Sequence, residues 1–156
     1  MSTLAVQIAL DANERERRRV ILLTNGLDEH ALLEMVHDRW TVAAKLAHLA
    51  YWDRFALTLL ERWARDEDYV ADALPHWYDD CLNDALLIES LALTPAVTAR
   101  LAIEAAEAID ARLRALAPEQ AARLLTDRDA AWLLRRHNHR KEHLDEIEVA
   151  LGLPGC

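Results

Sequence analysis

Turn-forming residues are scarce in this chain, with three glycines and four prolines among 156 positions. Sheets joined by tight hairpins need more such punctuation, so an all-α fold is expected. Cysteine is scarcer still. Cys81 and Cys156 make neither a disulfide framework nor a Cys-x-x-Cys metal knuckle. No apolar run approaches the roughly 18 residues of a membrane helix. The first ten residues lack the basic start and the apolar length of a signal peptide, and a cytoplasmic protein without a membrane partner is expected. Positive charge is in deficit, 18 Lys and Arg against 27 Asp and Glu, for a net charge of −9. That balance argues against nucleic acid, whose phosphates require a basic face. The run Arg15, Arg17, Arg18 and Arg19 follows Asp11, Glu14 and Glu16, and reads as a solvated helix face laced with pairs one turn apart.

What is abundant is apolar residues, 53% of the chain, with Ala, Leu, Glu and Arg as strong helix formers. The length suits one domain, residues 1–156. A first helix is predicted from Ser2 or Thr3 to Leu23, stopped by Thr24-Asn25-Gly26. A short piece capped by Asp28 follows, with Leu32, Met35 and Val36 facing inward and His37-Asp38 ending it. Thr41 is the expected N-cap of a long helix reaching about Ala64, with an apolar stripe of Leu46, Leu49, Ala50, Leu57 and Leu60. Residues 66–93 read as a long crossover holding a short helix from about Asp79 to Leu91. Thr94-Pro95 starts the next helix, whose apolar repeat runs Val97, Leu101, Ala105, Ala108, Ile109, Leu113 and Leu116. Thr126-Asp127-Arg128-Asp129 resembles a capping box for a last helix reaching about Leu151. Four long helices with one crossover predict a four-helix bundle.

Three histidines stand out. His139 and His143 are four apart on the last helix, so both rings leave one face one turn apart, the spacing at which a helix offers two ligands to one metal ion. His48 sits in Lys45-Leu46-Ala47-His48-Leu49-Ala50, inside a helix with little reason to carry a polar ring. An inward metal would satisfy its ring nitrogen. His137 falls on another flank, and His30, His37 and His76 lie in or near connecting segments, where exposure or capping is the better reading. Three neutral imidazoles with an open position suit Zn²⁺ or Ni²⁺.

The stretch from Arg39 to Asp53, with Trp40, the cap Thr41, His48-Leu49 and the aromatic Trp52, resembles the second-helix signature of the DinB-like (YfiT-like) metalloenzyme superfamily. His139-x-x-x-His143 resembles that family's last-helix element, and Asn83 the Asn often found before its third helix. The order of elements matches over nearly the whole chain. The resemblance implies a four-helix bundle that binds a divalent metal through His48, His139 and His143, often as a homodimer. Characterised relatives include thiol-dependent transferases and isomerases.

His139-Arg140-Lys141-Glu142-His143 also spells the inverted zinc-protease pattern His-x-x-Glu-His. That pattern needs a further acidic ligand well downstream, and only 13 residues follow His143. Two classes of function remain: a metal-dependent transferase joining a low-molecular-weight thiol to a small electrophile, and a non-catalytic ligand- or metal-binding bundle. Asn83, Tyr51, Trp52, Tyr78 and Arg136 are candidates to line the site. Of five tryptophans, Trp63 closes the long helix beside Arg62, Arg65 and Asp66, and Trp77 stands in the crossover next to Pro75 and Tyr78. The 63–78 region or the face beside it is the expected homodimer surface.

Overall fold

A computed structural model of the chain describes residues 2–65, 76–127 and 130–153, the side chains of Ser2, His76 and Trp77 excepted. The described residues are mostly helical, eight helices with one two-stranded sheet. Helix α1 spans Ser2–Gly26 and runs through the expected stop at Asn25-Gly26. Among the described residues positive φ occurs only at Asp38 (45°) and Gly152 (64°), so no left-handed residue closes α1. The last turn tightens instead, Leu27 N donating to Thr24 O at 3.4 Å, and Leu27 packs against the core. Asp28 caps α2 (Glu29–Leu33) as expected, its carboxylate accepting from Ala31 N at 2.8 Å.

The next segment departs from an all-helical reading. Strand β1 (Met35–His37) pairs antiparallel with β2 (Trp40–Thr41), with a bulge between Met35 and His37. Asp38 takes the left-handed turn position, which its short polar side chain tolerates. Alternation turns Val36 toward the core and leaves Met35 49% exposed, not inward. Thr41 is the expected cap of α3 (Val42–Arg65), accepting from Ala44 N at 3.1 Å. The predicted α3 stripe is buried at Leu46, Leu49, Ala50 and Leu60, and part-buried at Leu57.

In the crossover, residues 66–75 lie outside the described residues, and α4 (His76–Ala92) is longer than the short run expected. Thr94 stands at the N-cap of α5 (Pro95–Arg114) without a side-chain cap bond. The buried face of α5 is Thr98, Ala102, Ala105, Ala106, Ile109, Asp110 and Leu113, while Ala108 of the expected stripe is exposed. Helix α6 (Pro118–Thr126) ends where a cap was read: the Thr126 hydroxyl donates back to Ala122 O and Arg123 O within its own helix. Arg128 and Asp129 of that reading lie outside the described residues. The last helix is broken into α7 (Ala131–Leu134) and α8 (Arg136–Ala150). Asn13 of α1 explains the break. Its amide donates to Leu134 O and accepts from His137 N, each at 2.8 Å, replacing bonds that a continuous helix would make for itself.

Helices α1, α5, α3 and α8 pack in a ring, each against the next and α8 back on α1, with α4 laid on α3 and the hairpin on α8. One apolar cluster joins Ala56, Leu60, Trp63, Ile109, Leu113 and Leu134; a second joins Val20, Leu32, Val42, Leu46, Leu49, Leu144 and Ile147. Trp63 is 5% exposed and belongs to the first, which removes it as a surface anchor. The Trp77 side chain lies outside the described residues. The basic run of α1 is also less solvated than expected. Arg17 reaches Asp110 at 3.3 Å, and Arg19 reaches Glu148 at 2.7 Å and Asp145 across to α8. No described helix is long and apolar enough to cross a membrane.

Candidate metal centre

On α3, Asp53 falls between the residues of the two apolar clusters, and a charged layer is built around it. Arg136 Nε donates to Asp53 Oδ1 and Arg140 Nε to Asp53 Oδ2, both at 2.9 Å. Arg140 Nη1 pairs with Asp110 Oδ1 at 2.9 Å. Arg140 is 0% exposed and Asp53 1% exposed, so each charge depends on its partners to offset the loss of water. This layer ties α3, α5 and α8 together just beneath the histidines.

The three histidines singled out in the sequence converge. His48 comes from α3, and His139 and His143 from α8, with one ring nitrogen of each all within 4.8 Å of one another. His48 Nε2 and His139 Nε2 are 3.1 Å apart. Two nitrogens held at ~2.0–2.1 Å by one tetrahedral ion stand about 3.3 Å apart, so this pair is already near ligand spacing. His48 is 6% exposed and its Nδ1 is buried without a hydrogen-bond partner. Burial keeps all three rings neutral. It lowers His48 to about 3, assisted by the repulsion that a proton there would meet from a protonated His143 and from Lys45. It lowers His139 well below the usual value, with Arg136 adding to the effect, and lowers His143 against the pull of Glu146. Neutral imidazoles are the form that ligates.

The surroundings of the three rings differ. His143 Nδ1 meets Glu146 Oε2 at 2.8 Å, and that carboxylate also takes Lys45 Nζ at 2.8 Å. His139 Nδ1 lies 3.3 Å from Arg136 Nη2, a group that can only donate. Trp40, brought in by the hairpin, stands edge-on to His48 at 5.5 Å between centroids, and Lys45 Nζ lies 5.2 Å from the Trp40 ring centre. Trp52 borders both His48 and His139 at 6.3 and 6.4 Å.

Of the residues expected to line the site, Trp52 and Arg136 do so. Asn83 stands one layer back, accepting from Trp52 Nε1 at 3.0 Å. Tyr51 packs on Trp52 and stacks on Phe55, and Tyr78 is 40% exposed on α4. His137 turns to Asn13 Oδ1 at 2.9 Å, away from the cluster. The side chains of His30 and His37 are 86% and 44% exposed, and the side chain of His76 lies outside the described residues. Glu142 is exposed, unlike the base of the inverted protease pattern. Sequence reasoning missed Asp53, Arg140, Lys45 and Glu146. Lys45 had a signal, as the one polar residue in the apolar run Val42–Ala47, and so did Glu146, one helical turn after His143. No family model, curated protein or solved structure matches the chain.

Proposed function

We propose that this chain is a DinB-like four-helix bundle of one domain that holds a divalent ion, Zn²⁺ or Ni²⁺, through His48, His139 and His143. The observation that carries the metal is the convergence of three buried neutral imidazoles from two helices within 4.8 Å. His48 Nδ1 is buried without a partner, so the contact of its Nε2 with His139 Nε2 is the hydrogen bond this ring has among the described residues. Three nitrogen ligands leave a coordination position for a small molecule, as in catalytic rather than structural sites. A bound ion supplies Lewis acidity, lowering the pKa of a thiol or water that reaches it. The chain's own contribution is a pair of half-buried aromatic rings, Trp40 and Trp52, packed edge-on against His48.

The activity that fits this arrangement, and the resemblance noted in the sequence, is transfer of a low-molecular-weight thiol to a small electrophile in a cytoplasmic homodimer. Metal analysis of untagged protein tests the first step. About one equivalent is expected, falling below roughly a tenth in His48→Ala/His143→Ala. A screen of bacillithiol, mycothiol and glutathione against a panel of electrophiles tests the second. Full metal occupancy without turnover of any thiol would favour the non-catalytic binding bundle.

A further inference from the structure

His143 is the one ligand candidate whose outer nitrogen faces a carboxylate among the described residues. Glu146 Oε2 stands 2.8 Å from His143 Nδ1 on the same helix. Lys45, from α3, is 5% exposed and bonds that same oxygen at 2.8 Å, while its Nζ is 3.5 Å from His143 Nδ1. Resting on the metal reading above, we infer that Glu146, pinned by Lys45, selects the tautomer of His143 and thereby sets how tightly the site takes a divalent ion.

The argument is one of donors and acceptors. A carboxylate can only accept, so its contact with Nδ1 keeps the ring proton on that nitrogen and leaves the lone pair on Nε2 for the centre. An ammonium can only donate. Without Glu146, Lys45 becomes the charged neighbour of Nδ1, which then accepts, and the proton moves to Nε2, where it obstructs ligation. Lys45 therefore has opposite effects in the two settings. It steadies Glu146 when the carboxylate is present and competes for the imidazole when it is gone. A carboxylate behind a ligating imidazole also raises its basicity. Arg136 behind His139 can only donate and so opposes this effect, and the buried His48 Nδ1 has no hydrogen-bond partner, so His143 is where this control is exerted.

The test uses the full chain without a tag and two readouts: Zn²⁺ affinity by chelator competition, and side-chain nitrogen NMR of His143 before metal is added. Wild type should show the Nδ1–H tautomer. Glu146→Ala should show Nε2–H and bind Zn²⁺ about 10- to 100-fold more weakly. Glu146→Gln, which keeps an accepting oxygen, should recover most of that loss and serves if the alanine variant folds poorly. Adding Lys45→Met to Glu146→Ala should restore part of the affinity by removing the competing donor. The same tautomer in wild type and Glu146→Ala, or equal affinities, would overturn the inference. A wild type that takes up no Zn²⁺ would sink the metal reading instead, and the tautomer comparison would still decide the role of Glu146.

Discussion

Arg140 Nε donates to Asp53 Oδ2 at 2.9 Å across 87 positions of sequence, with both side chains closed to solvent. The pair sets the register of α8 on α3. His48 lies five residues before Asp53, and His139 directly before Arg140. The charged layer and the histidine cluster are therefore one piece of architecture, and disturbing the first should disturb the second.

Asp53→Ala leaves Arg136 and Arg140 buried without their shared acceptor. Removing one partner of a buried ion pair costs about 3–5 kcal/mol. Urea unfolding should show a loss of that size, and the folded fraction should bind Zn²⁺ more weakly. Unchanged stability would mean that the layer is hydrated in solution.

Metal content should discriminate among histidines. His48→Ala, His139→Ala and His143→Ala should each lower Zn²⁺ affinity, while Glu142→Gln should leave it at the wild-type value. Loss of metal in Glu142→Gln, with an intact fold, would revive the protease pattern.

Acid should destabilise the protein through the same rings. Unfolded imidazoles protonate near pH 6.5. The folded ones do so only at lower pH, His48 near 3, so below about pH 6.5 the unfolded chain binds more protons and stability falls with pH. The stability these groups contribute is present above the unfolded value and lost toward the folded ones. Thermal melts of chelator-treated protein between about pH 7 and pH 5 should show a falling Tm, with a shallower slope in His48→Gln. Equal slopes would place His48 in water.

Asn13 is 1% exposed and spans the α7–α8 junction by bonding Leu134 O and His137 N. Asn13→Ala strands both groups, at roughly 1–3 kcal/mol. Hydrogen exchange should rise first at the start of α8, around His137. Protection unchanged there would assign the helix break to another cause.

Trp63→Ala is a core truncation, expected to cost about 3–5 kcal/mol. Light scattering of the folded variant should give the same mass as wild type. A change of assembly state without a loss of stability would return Trp63 to an interface.

Composition and spacing carried much of this protein on their own. Scarce Gly and Pro with abundant Ala and Leu predicted helices. Asp28 and Thr41 announced their caps, because capping depends on a few neighbouring residues. His139 and His143 were readable as a pair because helical geometry alone places them on one face. Their meeting with His48 was an extrapolation that depended on α3 and α8 packing side by side. What sequence reasoning missed was decided at long range. Gly26 continues a helix because Leu27 is drawn onto the core, and the last helix breaks at Arg135 because Asn13, far off in sequence, supplies bonds at that junction. Trp63 looked too near charged residues to be buried, yet a neighbouring helix provides a cover, with the Arg123 guanidinium 5.8 Å from its ring. Nothing local in the sequence marks Asp53 and Arg140 as buried charges. A charge is tolerated in a low-dielectric interior only where partners meet it, and those partners come from other helices, so tertiary packing alone decides that they belong inside.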